Sequence, residues 1–293
     1  MFLVTGAAGG VQGSTGRLVA EALLAQEQPV RAFVRRDDER AARLRELGAE
    51  IHVGDLREIN DVRPALVGVR RAFFTYPVTG GLLDATVVFA AAAREENVER
   101  VVEVSQLDAR IEARTPRMRQ HWLSEQVFDW AGVGAVHLRA AVFHENLTVL
   151  AALSGWRELA VPLGPPSTRV PLIAAEDVAR VAVALLLSPG AVEPVVHLTG
   201  QMLSVGEVAE VLREVCGLSL EYVDADPGQW RRDLLAVLGD PHTVEHLSAL
   251  WEIFRTTPEH PLYRVTEAIE RLGGRPPVTY REFLAHRSGP AET

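Results

Sequence analysis

The sequence predicts an α/β fold, a parallel doubly wound sheet with a smaller C-terminal α/β lobe against its carboxyl edge. Three observations carry this. Met1 to Leu24 reads as strand, glycine-rich turn and helix. Short apolar runs then alternate with helical patterns as far as Leu138, with no hairpin signal between them. Beyond about residue 150 this rhythm loosens. The expected division is therefore 1–150 and 151–293, with 170–200 returning to the first part.

Phe2-Leu3-Val4 is the first strand, and Leu18, Val19, Ala22 and Leu23 recur at helical spacing after it. Pro29 to Arg36 reads as a second strand ending in two arginines, and 37–48 as a helix stopped by Gly48. Ala49 to Val53 is a third strand closed by Gly54-Asp55-Leu56, before a short helix at 58–67. Arg71 to Tyr76 is the fourth strand, 82–96 a long apolar helix, and Val101 to Val104 a fifth strand running into Ser105-Gln106. A helix at 117–131, stopped by Gly132, leads to a sixth strand, Ala135 to Leu138. In the second half, Val170 to Ile173, Val195 to Leu198 and Leu220 to Val223 read as strands. Glu176-Asp177 opens a helix, and Ser204 with Glu207 three residues on forms a capping box for the helix through Cys216. Residues 227–257 read as helical, Val265 to Leu272 as a last short helix, and the tail from Ser288 as frayed.

The totals narrow the function classes. The chain has 293 residues, 47% of them hydrophobic, enough for one large core with a lobe. A net charge of -9 is poorly suited to nucleic acid or an anionic membrane. Cys216 is the only cysteine, so no intrachain disulfide forms, and it reads as a small buried helix residue. No apolar run is long enough to span a bilayer, and the first strand begins at residue 2. The expectation is a soluble cytoplasmic protein, monomer or homodimer, acting on a small molecule.

Strand, glycine loop and helix in direct succession are the layout of a dinucleotide site. Glycine lets the backbone turn tightly and approach a pyrophosphate, and the helix start offers free N–H groups and a positive dipole end. Gly6, Gly9, Gly10, Gly13 and Gly16 supply two overlapping frames, and the helix pattern starts later than a minimal loop allows. We read a lengthened phosphate loop with Gly6 and Gly9 at the turn. Either Gly13 or Gly16 is the glycine that packs helix on strand. Arg35 and Arg36 end the second strand, where arginine accommodates a 2′-phosphate, so NADP(H) is expected over NAD(H). Asp37 and Asp38 follow at once and work against that preference.

The TGAAG loop, VRAFVRR, GAEIHVGDL, HWLSE, FHENL, IAAEDVARV and LTG…LSVGEVAEVL, in this order, resemble the NmrA-like group of atypical short-chain dehydrogenases/reductases. That group includes NAD(P)H-dependent quinone reductases, triphenylmethane reductase-like enzymes and redox-sensing regulators that bind NADP without turnover. The resemblance implies a Rossmann-type fold and an NADPH-dependent oxidoreductase that passes hydride to a quinone or carbonyl acceptor. The alternative is a non-catalytic NADP(H) sensor acting through a protein partner.

It further implies a nucleotide path over Gly6, Gly9, Gly10, Val11, Gln12 and Gly13, with Arg35 on the phosphate. Asp55 and Leu56 would lie at the adenine, Tyr76 and Pro77 along the pyrophosphate and ribose, and Phe143 at the nicotinamide carboxamide. Ser105 holds the place of the catalytic serine and His121 that of the catalytic lysine, while Arg117 stands where a tyrosine acid would be. A histidine titrates near neutrality and can donate to a ribose hydroxyl or a quinone oxygen, so His121 is the residue expected to carry the chemistry. His144 is the variable residue of the Phe143-to-Asn146 segment, facing substrate or solvent. Trp122, Trp156, Trp230 and Trp251 are candidates for a flat apolar cleft or ordinary core. His242 to His246 spells H-x-x-E-H, a zinc-site pattern; without a third ligand in view, no metal is expected.

Overall fold

The computed structural model describes residues 1–10, 14–217, 219–257 and 259–286. The first half alternates strand and helix: β1 (Phe2–Thr5), α1 (Thr15–Leu24), β2 (Val30–Val34), α2 (Glu39–Glu46), β3 (Glu50–Val53) and α3 (Ile59–Leu66). It continues with β4 (Arg71–Phe74), α4 (Leu82–Glu95), β5 (Arg100–Gln106), α5 (Pro116–Ala131) and β6 (Val136–Ala140). The chain then runs through β7 (Val142–Phe143), α6 (His144–Leu153), β8 (Glu158–Val161), β9 (Arg169–Ile173), α7 (Ala175–Leu187) and β10 (Val195–Leu198). It ends with β11 (Gln201–Ser204), α8 (Val205–Cys216), β12 (Glu221–Asp224), α9 (Pro227–Leu238), α10 (Pro241–Thr256), α11 (Ala268–Gly273) and α12 (Tyr280–His286).

The main sheet has the order β10-β6-β5-β4-β1-β2-β3, and all its pairings are parallel. The winding reverses between β1 and β4, so their carboxyl ends part into a crevice. Both faces are covered, which is why the strands are apolar at successive residues rather than alternating. Leu3, Phe33, Ala72 and Phe74 pack on one face with α4 residues such as Phe89, while Val4, Ala32, Phe73 and Val102 pack on the other with α1 and α7. α7 lies against α1 and β10 closes one edge, so this later stretch returns to the main sheet.

The second half adds a β11-β9-β7 sheet and a β12-β8 ladder around a separate core containing Leu172, Leu212, Trp251, Phe254 and Tyr280. The expected capping box is present, with Glu207 N–H on the Ser204 side chain at 3.2 Å and Ser204 N–H on Glu207 at 2.7 Å. The expected single helix over 227–257 is two helices. Gly239 adopts φ 65 as the stop, Asp240 caps the next start through His242 N, and Pro241 opens α10. The last short helix begins later than expected, at Ala268, and α12 beyond it was not anticipated. Cys216 ends α8 half-buried rather than fully buried. The tail from Ser288 lies outside the described residues. Among the described residues, no helix is long and apolar enough to cross a membrane.

Candidate functional site

The site is built along the carboxyl ends of β1, β2, β4 and β5. Thr5 at the end of β1 donates its hydroxyl to Thr75 O at 3.0 Å and accepts from Thr75 N at 2.8 Å, which ties β1 to the loop after β4. Gly6 (φ 64) and Gly9 (φ 67) then turn the chain in the left-handed region, and Gly9 N–H closes the turn on Gly6 O at 3.0 Å. α1 begins only at Thr15. A Cβ on Gly16 would stand 2.4 Å from Thr5 O and 2.6 Å from Gly6 O, so Gly16 packs the helix onto the strand. The first turn of α1 carries no acid, and Ser14 makes no side-chain cap. Its N–H groups therefore keep their capacity for an anion, and no atom of the described residues stands within 4 Å of a Cβ placed on Gly10. These features fit a dinucleotide pyrophosphate. Val11, Gln12 and Gly13 lie outside the described residues. Arg40 of α2 donates to Gly9 O at 3.1 Å while gripping Asp38, a brace for the loop that the sequence did not reveal. A cavity of about 690 Å³ flanks the loop, lined by Gly9, Gly10, Ser14, Arg17 and Arg40 among others, and does not reach Arg35, Tyr76 or His121.

Arg35, Asp55, Arg57 and Tyr76 converge at the ends of β2, β3 and β4. Arg35 is exposed, its guanidinium 3.9 Å from Asp55. Asp37 pairs with Arg45 at 3.0 Å and Asp38 with Arg40 at 2.6 Å, so neither acid neutralises Arg35. The Asp55 carboxylate is gripped by Arg57 at 2.6 and 3.0 Å, which holds its pKa down to about 2. An adenine amino group would share that carboxylate with Arg57. Leu56 packs on the sheet face beneath. The Tyr76 hydroxyl donates to Gly80 O at 3.2 Å.

Arg117 explains the loop after β4. Its buried guanidinium donates to Thr79 O at 3.0 Å, Pro77 O at 2.7 Å and Tyr76 O at 3.3 Å. Burial lowers it to about 10, so it stays a cation at neutral pH. The residue at the tyrosine place is thus a tether for Tyr76 and Pro77. Ser105 donates to Glu125 Oε1 at 2.6 Å, and Glu125 in turn takes Arg139 at 2.6 and 2.9 Å.

His121 is buried on α5, and its Nδ1 has no hydrogen-bond partner among the described residues. Burial, then the neighbouring charge of Arg117, pushes it well below the usual imidazole range. It does not titrate near neutrality as expected from its type; it is a neutral imidazole. Gln106, one residue past Ser105, meets His246 of α10 at 3.1 Å.

The two histidines of the H-x-x-E-H segment have separate neighbours: His242 stands over Gly80 and His246 meets Gln106. Among the described residues no metal-ligating cluster of three His, Cys, Asp or Glu gathers. Phe143 pairs with Ile173 across β7 and β9 and is partly buried against the main core. His144 faces neither cleft nor solvent: it is fully buried against Tyr280 and Phe283. Trp251 is fully buried in the second core, and Trp230 anchors to Ala160 O at 2.9 Å.

The NmrA-like family model matches residues 2–272. The NAD(P)H azoreductase of Xenophilus azovorans is 30% identical over 287 residues, covering 97% of this chain and 96% of that protein. Among solved structures, the NADPH-dependent quinone oxidoreductase of Escherichia coli, complexed with NADPH, aligns with a TM-score of 0.81 at 20% identity over 98% of this chain and 99% of that one. The negative transcriptional regulator NmrA, in complex with NADP, aligns with a TM-score of 0.75 at 17% identity over 97% and 94%. At such identities the two structures speak for the fold alone. The family match spans nearly the whole chain, and this protein belongs to the NmrA-like family.

Proposed function

We propose that the protein is an NADPH-dependent reductase that delivers hydride to a conjugated quinone- or carbonyl-type acceptor. The observation that carries this reading is the placement of candidate groups at the carboxyl ends of neighbouring strands. They are the turn at Gly6 and Gly9 with Gly16 against the strand, then Arg35 beside Asp55, then Tyr76, whose carbonyl is held by Arg117, the neighbour of the uncharged His121. The azoreductase relative supports the reaction class. When bound, NADPH supplies the hydride from its nicotinamide ring. The turn and the α1 N-terminus hold the pyrophosphate, Arg35 takes the 2′-phosphate, and Arg117 fixes Tyr76 and Pro77 along the path. His121 acts as a neutral hydrogen-bond donor beside the acceptor, polarising it without giving up a proton; the product's proton then comes from solvent.

The test is NADPH oxidation by the purified protein against quinones, aldehydes and imines, with His121→Ala alongside. Turnover that falls about tenfold or more in the variant supports the reading. A second reading, an NADP(H) sensor acting through a protein partner, is favoured by one feature: Arg117, in the tyrosine place, is spent on three carbonyls. Tight NADPH binding without turnover of any acceptor would favour it.

A further inference from the structure

Polar atoms buried without partners are uncommon, because each costs about 1–3 kcal/mol. Three atoms without a partner among the described residues lie where β5 ends beneath α10: Gln106 Oε1, His121 Nδ1 and His246 Nδ1. They come from a strand end, α5 and α10, elements that the chain brings together from far apart. α10 is seated there by the Thr243 hydroxyl on Val78 O and by His242 against Gly80. This is the same edge at which the acceptor would meet the nicotinamide.

The Gln106–His246 contact has two assignments, since amide orientation and imidazole tautomer are interchangeable. If the Gln106 amide donates to His246 Nε2, then His246 Nδ1 carries a hydrogen and Gln106 Oε1 is a free acceptor. If the amide is turned over, His246 Nε2 donates to it, Nδ1 becomes the acceptor and the amide NH₂ is the free donor. In both, the pair offers one donor and one acceptor, and His121 adds a third group.

We propose that His246 is an acceptor-binding residue: with Gln106 it forms an uncharged dyad that hydrogen-bonds the polar atom of the reducible group. The ligand class is an uncharged conjugated molecule with a carbonyl or quinone oxygen. That oxygen accepts a hydrogen bond when oxidised and both donates and accepts when reduced, and the dyad matches both states by exchanging its two assignments. Burial pushes His246 down to about 3, which keeps the dyad neutral. The inference rests on the reductase reading above.

The experiment uses NADPH-loaded protein with menadione as the probe. His246→Phe is expected to lower kcat/KM for menadione at least about tenfold, the effect of one lost buried hydrogen bond. NADPH affinity should stay within about twofold, which a merely structural role would not produce. Gln106→Leu should lose as much, and the double variant little more, because the two act as one unit. His246→Asn, which keeps an amide atom near the Nδ1 position, should recover part of the loss. Wild-type kcat/KM in His246→Phe, or a parallel loss of NADPH affinity, would overturn the proposal. If the wild type oxidises no NADPH, the reductase reading fails, and quenching of tryptophan fluorescence by menadione in the NADP⁺-loaded protein decides the dyad separately. Binding lost in His246→Phe supports it; no binding by the wild type overturns it.

Discussion

The buried histidines are expected to destabilise this protein in mild acid. His121, His144 and His246 are all neutral in the fold. Burial pushes His144 and His246 down to about 3, and His121 well below its usual range. In the unfolded chain each regains an ordinary imidazole that binds a proton at about pH 6.5. The unfolded state therefore binds more protons, and stability falls as pH drops from about 6.5 towards 3. Between about pH 7.5 and 5.5, His144 and His246 each cost on the order of 1 kcal/mol, and His121 adds in the same direction.

His137 opposes this: burial lowers it, but its 2.6 Å bond to Glu103 together with the charges of Glu103, Glu125 and Asp129 raises it overall. Glu103 and Asp177, pushed up by burial, act in the same opposing sense. The diagnostic is therefore a difference between variants. His144→Phe keeps an aromatic ring against Tyr280 and Phe283 and removes one titrating group whose two nitrogens have no hydrogen-bond partner among the described residues. Urea unfolding of the ligand-free protein at the two pH values should show a stability loss smaller in the variant than in the wild type by on the order of 1 kcal/mol. An equal loss in both would refute the reasoning.

Two further predictions concern the nucleotide site. Gly16→Ala drives a methyl group to within 2.4 Å of Thr5 O, and backbone must shift to admit it. A loss of about 2–3 kcal/mol in denaturant titration, with weakened NADPH binding, is expected. Arg35→Ala should reduce the NADPH-to-NADH affinity ratio about tenfold or more, measured by fluorescence titration of both nucleotides; an unchanged ratio would remove Arg35 from the phosphate site.

The parts of this molecule that local physics determines were legible in the sequence. Strand, glycine turn and helix from Phe2 to Leu24 announce themselves through hydrophobic period and the conformational needs of Gly6 and Gly9. The Ser204–Glu207 capping box is a three-residue code. The break at Gly239-Asp240-Pro241 also carries its code, a glycine stop, an acidic cap and a proline at the first helical position, yet the apolar pattern runs across it and conceals it. Gly16 shows itself as a packing glycine only through the carbonyls of Thr5 and Gly6, which the sequence does not place. The remainder depends on contacts between distant residues. No pattern links Gln106 to His246, or Arg117 to the carbonyls of Tyr76, Pro77 and Thr79. His121 was found by its place on the helix, but its neutrality follows from burial beside Arg117, which only the fold discloses.

The central claim is that this edge of the sheet passes hydride from NADPH to an acceptor. The most direct test is a single turnover: protein loaded with one equivalent of NADPH, mixed rapidly with excess menadione, and followed by nicotinamide absorbance and by hydroquinone formed. The account predicts complete loss of the absorbance with one hydroquinone per NADPH. Absorbance that persists with menadione and with every other acceptor tried, while NADPH stays bound, would contradict it.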